Sequence, residues 1–199
     1  MPRPRAHPPD VRRKMIVDAA RKVMSREGYD AVRLDEVAHL ASAAKGTLYL
    51  YFKNKMALLA GVYEDVLDDI DLRLASVPDE GDALKRLSGM VRETLKQMDE
   101  EWGFFSKFVG GHPDLFRASV GEGIKKRYGA HVDLVASRLK ACVRQGTLRR
   151  HDPLMGAQYY DNLIHLFVNS REMGLDKRPL AGRHRDFMGL LLRGLGGKR

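Results

Sequence analysis

The chain has 199 residues, 44% of them hydrophobic and 31% charged; that is enough for a sizeable core in one large or two small domains, and no apolar run approaches the roughly 18 to 20 residues of a membrane span. Its single cysteine, Cys142, excludes an intramolecular disulfide and suits a reducing cytoplasm, with the thiol read as an inert core group. The net charge of +9 favours an anionic partner, nucleic acid before an acidic membrane surface, and is concentrated at one end, since residues 1–55 hold 12 Lys and Arg against 6 Asp and Glu.

Residues 1–10, MPRPRAHPPD, carry charge and four prolines without an apolar block, so they read as a flexible basic arm and not as a secretory signal. Ile16, Ala19, Ala20, Val23 and Met24 follow at helical spacing and predict a first helix ending before Gly28. Leu34, Val37, Ala38 and Ala41 continue for barely two turns, and Leu48, Tyr51 and Phe52 mark a third short element. Asn54 is a natural N-cap for a longer helix carrying Leu58, Val62, Val66 and Ile70, whose acidic run Glu64, Asp65, Asp68, Asp69 and Asp71 reads as a solvated face.

Residues 76–82 form a loop, and Asp82 caps the stripe Leu84, Leu87, Val91, Leu95, Met98 and Trp102. Gly110, Gly111 and Pro113 interrupt the pattern, and Asp114 starts another helix. Phe116, Val120, Ile124, Tyr128, Val132, Val135, Leu139 and Val143 then line a rod on the order of 45 Å long that ends at Gly146, a natural C′ residue. Asp152-Pro153 supplies an N-cap followed by Pro at N1, leading into Tyr160, Leu163, Ile164, Phe167 and Val168. A last helix carries Phe187, Leu190, Leu191 and Leu195. With no alternating β pattern of useful length, the chain is predicted to be all-α, with about nine helices.

Residues 28–58 therefore read as two short helices joined by a tight turn and followed by a capped third, the arrangement of a helix-turn-helix. Within them stand Gly46, Thr47, Leu48, Tyr49, Leu50, Tyr51 and Phe52, with Lys55 three positions on, preceded by Gly28-Tyr29 and Val37-Ala38. This run resembles the DNA-binding domain of the TetR (tetracycline repressor-like) family of bacterial regulators over about residues 12–63. The resemblance implies an N-terminal three-helix DNA-binding domain over 11–55 and a C-terminal helical ligand-binding and dimerisation domain over 56–199.

A recognition helix must enter a groove roughly 12 Å wide without bulk, which Ala43, Ala44 and Gly46 permit. Lys45 and Thr47 are short routes to bases or phosphates, and Tyr49 offers a hydroxyl to phosphate and a ring to a thymine methyl. Lys55 matches the family's backbone contact beside a helix N-terminus, and Arg33 and Ser42 are further candidates to touch DNA. Three positions depart from the family pattern: Val32-Arg33 stands where a Thr commonly caps, Ser42 where Gly is common in the turn, and Ala44 where Ser caps the reading helix. Asp35 and Glu36 are left to favour the second helix's N-terminus.

For the second domain the resemblance implies a small-molecule pocket and a dimer interface built from the last two helices. Trp102, Phe105, Phe108 and Phe116 are candidates to line the pocket, with Asn162 and His165 as polar anchors, while Tyr160, Phe167, Val168, Phe187 and Leu191 are candidates for the interface. The partners expected are a double-stranded operator, a small effector and a second copy, with no membrane, no cofactor and no metal. An enzyme is disfavoured: no His pair has metal-ligand spacing, no nucleophile or phosphate-loop motif occurs, and Asp161 with His165 is a chance pairing. A helical carrier or a protein coating DNA without operator specificity is the remaining alternative.

Overall fold

A computed structural model of the chain describes residues 7–78, 81–108 and 121–196, apart from the side chains of residues 105, 107 and 108. Nine α-helices occur among the described residues: α1 (Pro9–Glu27), α2 (Leu34–Leu40), α3 (Lys45–Tyr51), α4 (Lys55–Ser76), α5 (Ala83–Glu100), α6 (Trp102–Phe108), α7 (Glu122–Arg144), α8 (Pro153–Glu172) and α9 (His184–Leu195). A 3₁₀ turn over Leu180–Arg183 precedes α9, and one isolated antiparallel bridge joins Leu148 to Gly196. The fold is all-α, and no described helix is long and apolar enough to cross a membrane.

Local chemistry accounts for several helix ends. Asp82 Oδ1 accepts from the Lys85 amide at 2.8 Å and Asp152 Oδ1 from the Met155 amide at 2.8 Å, with Pro153 in the first turn behind it. Asn54 Oδ1 accepts from the Ala57 amide at 2.8 Å and starts α4. At the far end of α7, Gly146 takes φ +72°, so its amide reaches the Val143 carbonyl and the Thr147 amide reaches the Cys142 carbonyl at 2.9 Å. Helix α1 begins earlier than expected: Pro9 opens it and shortens the arm, because the fixed φ of proline suits a first helical turn. The expected cap Asp114, with Phe116 and Val120 of the long rod, lies outside the described residues, and the described helix starts at Glu122.

The chain divides into two compact units, Met1–Asp65 with Gly103–Gly121 and Val66–Trp102 with Glu122–Arg199. The division falls inside α4, later than the boundary expected after residue 55. In the first unit, Ile16, Val17, Ala20 and Val23 of α1 bury with Val37 and Ala38 of α2, Leu48 and Phe52 at α3, and Leu58, Leu59 and Val62 of α4. Gly61 admits the Phe52 ring, since a Cβ there would lie 2.7 Å from a ring carbon.

In the second unit, Leu87, Met90, Val91 and Leu95 of α5 bury along with Val135, Leu139 and Cys142 of α7. Tyr160, Phe167 and Phe187 complete that core, with Phe187 edge-on to both other rings at 5.5 and 5.4 Å. The buried Tyr160 hydroxyl shares a 2.7 Å hydrogen bond with Thr94. Burial pushes the Cys142 thiol up to about 11, so it is an inert core group as its sequence context implied.

Candidate nucleic-acid interface

Helices α2 and α3 are joined by Ala41, Ser42, Ala43 and Ala44, and the turn is tight because Ser42 adopts φ +48°. That left-handed conformation is the reason glycine is favoured there, and Ser42 occupies it at some steric cost. Its carbonyl accepts from Arg12 Nη1 of α1 at 3.2 Å, while the Ala43 amide reaches back to the Ala38 carbonyl at 2.9 Å. Ala44 starts α3 with no side-chain cap, as its methyl group dictates, and Arg33 starts α2 equally uncapped. Asp35 and Glu36 stand in the first turn of α2.

Helix α3 buries Leu48 completely and Phe52, the residue after it, almost so, while Tyr51 is half-buried. The opposite face presents Lys45, Gly46, Tyr49 and Leu50 to solvent, with Thr47 half-buried at its edge. Leu50 is 84% exposed, an apolar side chain that contributes almost nothing to the core. A Cβ added at Gly46 would meet nothing within 4 Å. No contact among the described residues therefore requires a glycine at a helical position where it costs up to about 1 kcal/mol against alanine.

The charges around this face are partly engaged. Lys45 Nζ lies 2.8 Å from Asp35 Oδ1, and that hydrogen-bonded carboxylate raises the ammonium above the ordinary lysine range. Arg33 and Lys53 are exposed and carry no acidic partner among the described residues. Lys55, the first residue of α4, donates to the Asp30 carbonyl at 2.9 Å and stands 4.4 Å from the centre of the Tyr29 ring. Partial burial lowers its ammonium, and the Asp30 charge opposes that only in part. The Tyr29 ring and the Asp30 carbonyl thus build the seat on which Lys55 rests.

The structure thus brings Arg33, Ser42, Lys45, Thr47, Tyr49 and Lys55 onto the two short helices, their turn and the start of α4. Sequence reading missed Leu50, whose place beside the buried Leu48 gives no hint of exposure until the helix phase is known, and Arg12, whose link to the Ser42 carbonyl is non-local. The acidic run of α4, expected as a solvated face, is exposed at Asp68 and half-buried elsewhere, and its carboxylates are also engaged in ion pairs. Glu64 pairs with Arg13 at 3.4 Å and Asp65 with Lys14 and Arg21 at 2.6 and 3.0 Å, within the first unit. Asp68 pairs with Arg127 at 2.7 Å and Asp71 with His131 at 3.2 Å, within the second.

The pocket and interface candidates fare differently. Trp102 is half-buried, and Arg171 stacks on its ring at 4.0 Å while also bonding Asp99. The side chains of Phe105 and Phe108, and Phe116 as a whole, lie outside the described residues. Asn162 and His165 are exposed, so they anchor nothing in the interior of the second unit; the inward face of α8 belongs to Leu163, Ile164 and Phe167. Tyr160, Phe167, Val168, Phe187 and Leu191 are all buried in the core of the chain itself, so they have no surface to offer a second copy. On α8 it is Leu154, Met155 and Leu166 that are exposed.

Comparison with known proteins agrees with this geometry. Residues 16–62 match the family model of bacterial regulatory proteins, tetR family. The chain is 24% identical over 174 residues to the uncharacterized HTH-type transcriptional regulator YhgD of Bacillus subtilis (strain 168), covering 86% of this chain and 91% of that protein. It is 34% identical over 90 residues to the HTH-type transcriptional repressor KstR of Rhodococcus jostii (strain RHA1), covering 45% of this chain but only 42% of the repressor. Among solved structures, the fatty acid degradation regulator FadR from Bacillus halodurans has a TM-score of 0.72 at 21% identity, covering 98% of this chain and all of its own. FadR from Bacillus subtilis, solved in complex with stearoyl-CoA, has a TM-score of 0.75 at 20% identity, covering 92% of this chain and 98% of its own.

Proposed function

The chain belongs to the TetR family of transcriptional regulators, and from that premise we propose that it is a cytoplasmic homodimeric repressor that holds a palindromic operator until a small apolar effector releases it. The observation that carries the reading is the outward face of α3. An exposed strip of Lys45, Gly46, Tyr49 and Leu50, with a glycine that the chain's own packing does not need, has the chemistry of a helix built to enter a major groove. Lys45 and Tyr49 supply the hydrogen bonds, Leu50 and the Tyr49 ring supply apolar contact to thymine methyls, and Lys55 beside the α4 N-terminus supplies the phosphate grip.

A second copy docks on the exposed side of α8, where Leu154, Met155 and Leu166 replace the buried interface candidates expected from sequence. The effector we assign is a long-chain acyl thioester. Its support is that a structure of the same fold was solved in complex with stearoyl-CoA and that apolar side chains dominate the interior of the second unit. Release is a population shift of the dimer. Helix α4 carries it, because one end bears Lys55 and the other bears the carboxylates paired with Arg127 and His131 of α7.

Fluorescence anisotropy on an operator selected from genomic fragments tests this directly. Tyr49→Ala is expected to weaken binding by about fivefold or more, the loss of a contact worth roughly 1 to 3 kcal/mol, and stearoyl-CoA is expected to release the wild-type protein. Undiminished binding by Tyr49→Ala would contradict the reading helix, and indifference to stearoyl-CoA would contradict the effector class alone.

A further inference from the structure

We propose that the elbow between α7 and α8 is a binding site for a pyrophosphate-bearing anion. An open cavity of about 680 Å³ lies there, bordered by Lys140 and Arg144 of the last turns of α7, Arg150 and His151 of the connecting loop, and Asp152 and Pro153 at the start of α8. Its volume falls in the range that takes a whole small molecule, and a single orthophosphate would leave most of it unfilled.

The charge is lopsided. Lys140, Arg144 and Arg150 are exposed cations with no acidic partner among the described residues, and the first two sit four residues apart on one face of α7, where like charges repel. Asp152 is the one carboxylate bordering the cavity, and its Oδ1 already caps α8 through the Met155 amide at 2.8 Å. His151 is held in place: its Nδ1–H donates to the Arg149 carbonyl at 2.8 Å, and its ring lies against Gly156, where any Cβ would collide with it. Three cations without ion-pair partners, set against one carboxylate around one cavity and two of them guanidinium forks suited to paired phosphate oxygens, match the charge and shape of a diphosphate. The group can arrive as free pyrophosphate or on a nucleoside diphosphate.

Calorimetric titration of the full-length protein with sodium pyrophosphate and with ADP tests the assignment, using Arg144→Gln/Arg150→Gln against a control of equal charge loss. The control is Arg92→Gln/Arg185→Gln, at a second basic groove lined by α5 and α9. Saturable binding of one anion per chain is expected, weakened at least about tenfold by the elbow variant and less than about twofold by the control. Tighter binding of ADP than of pyrophosphate assigns the nucleoside form, and equal binding assigns the diphosphate alone. Absence of saturable binding, or equal weakening by both variants, overturns the proposal. Circular dichroism supplies the second check, because cations at a helix C-terminus also favour the helix dipole. The elbow variant is expected to melt no lower than wild type, whereas a melting temperature lowered by several degrees assigns these charges to stabilising the end of α7 and overturns the anion site.

Discussion

Gly46 and Ser42 hold the same lesson at the scale of one residue: each sits where the chain's own stability would choose otherwise. Gly46→Ala is expected to raise stability by about 0.5 to 1 kcal/mol, since the helix gains propensity and the added methyl meets nothing. The same substitution is expected to weaken operator binding, and chemical denaturation paired with anisotropy reads both. Gain of stability with full DNA affinity would show that nothing approaches Gly46. Ser42→Gly is expected to stabilise as well, by relieving the φ +48° backbone, because Arg12 bonds the Ser42 carbonyl and not its side chain. Lys45 offers the complementary test. Asp35→Asn removes its ion-pair partner and one negative charge beside the reading face, so DNA affinity at low salt is expected to rise by a few fold. A fall would mean that Asp35 positions Lys45 for its contact.

The elements show why some of this was legible and some was not. Capping is local chemistry, and Asn54, Asp82, Asp152 and Gly146 all end or start helices where their side chains or backbones dictate. The GTLYLYF run also spoke for itself, because its order of small, aromatic and basic residues has little reason to arise from packing alone. Helix α8 was ambiguous because both of its faces carry apolar residues. Only the fold decides that Tyr160 and Phe167 turn inward while Leu154, Met155 and Leu166 turn out. His165 and Asn162 went wrong for the same reason, one turn along the same helix. The ion pairs made by the acidic run of α4 were not legible because their partners lie 44 to 60 residues away in sequence.

His131 of α7 concentrates that non-local pairing. Its two ring nitrogens each stand 3.2 Å from a carboxylate, Asp71 of α4 and Asp161 of α8, and the Tyr128 hydroxyl donates to the other oxygen of Asp161 at 2.8 Å. Burial by itself would lower the imidazole, but the hydrogen bonds and charges of Asp161 and Asp71 outweigh it and raise His131 to about 9 from 6.5. A raised basic group contributes stability that is complete below about 6.5 and fades as pH climbs through about 9. The shift corresponds to roughly 3 kcal/mol. Thermal melts are therefore expected to fall between pH 7 and pH 10, and His131→Gln is expected to melt lower at pH 7 and to flatten that slope. An unchanged slope in the variant would assign the alkaline loss to other groups.

For the whole molecule, residues 16–62 match the tetR family model and the exposed face of α3 is the surface proposed to hold DNA, while the choice of operator depends on contacts that no single chain displays. The division between the two compact units falls within α4, which contributes residues to each. The central claim is site-specific recognition, and the measurement that tests it most directly compares affinity for a genomically selected operator with affinity for random DNA of equal length at moderate salt. The account predicts a preference of about a thousandfold or more, with protection of two half-sites roughly 34 to 36 Å apart. Equal affinity for the two DNAs, with no discrete protected site, would contradict it.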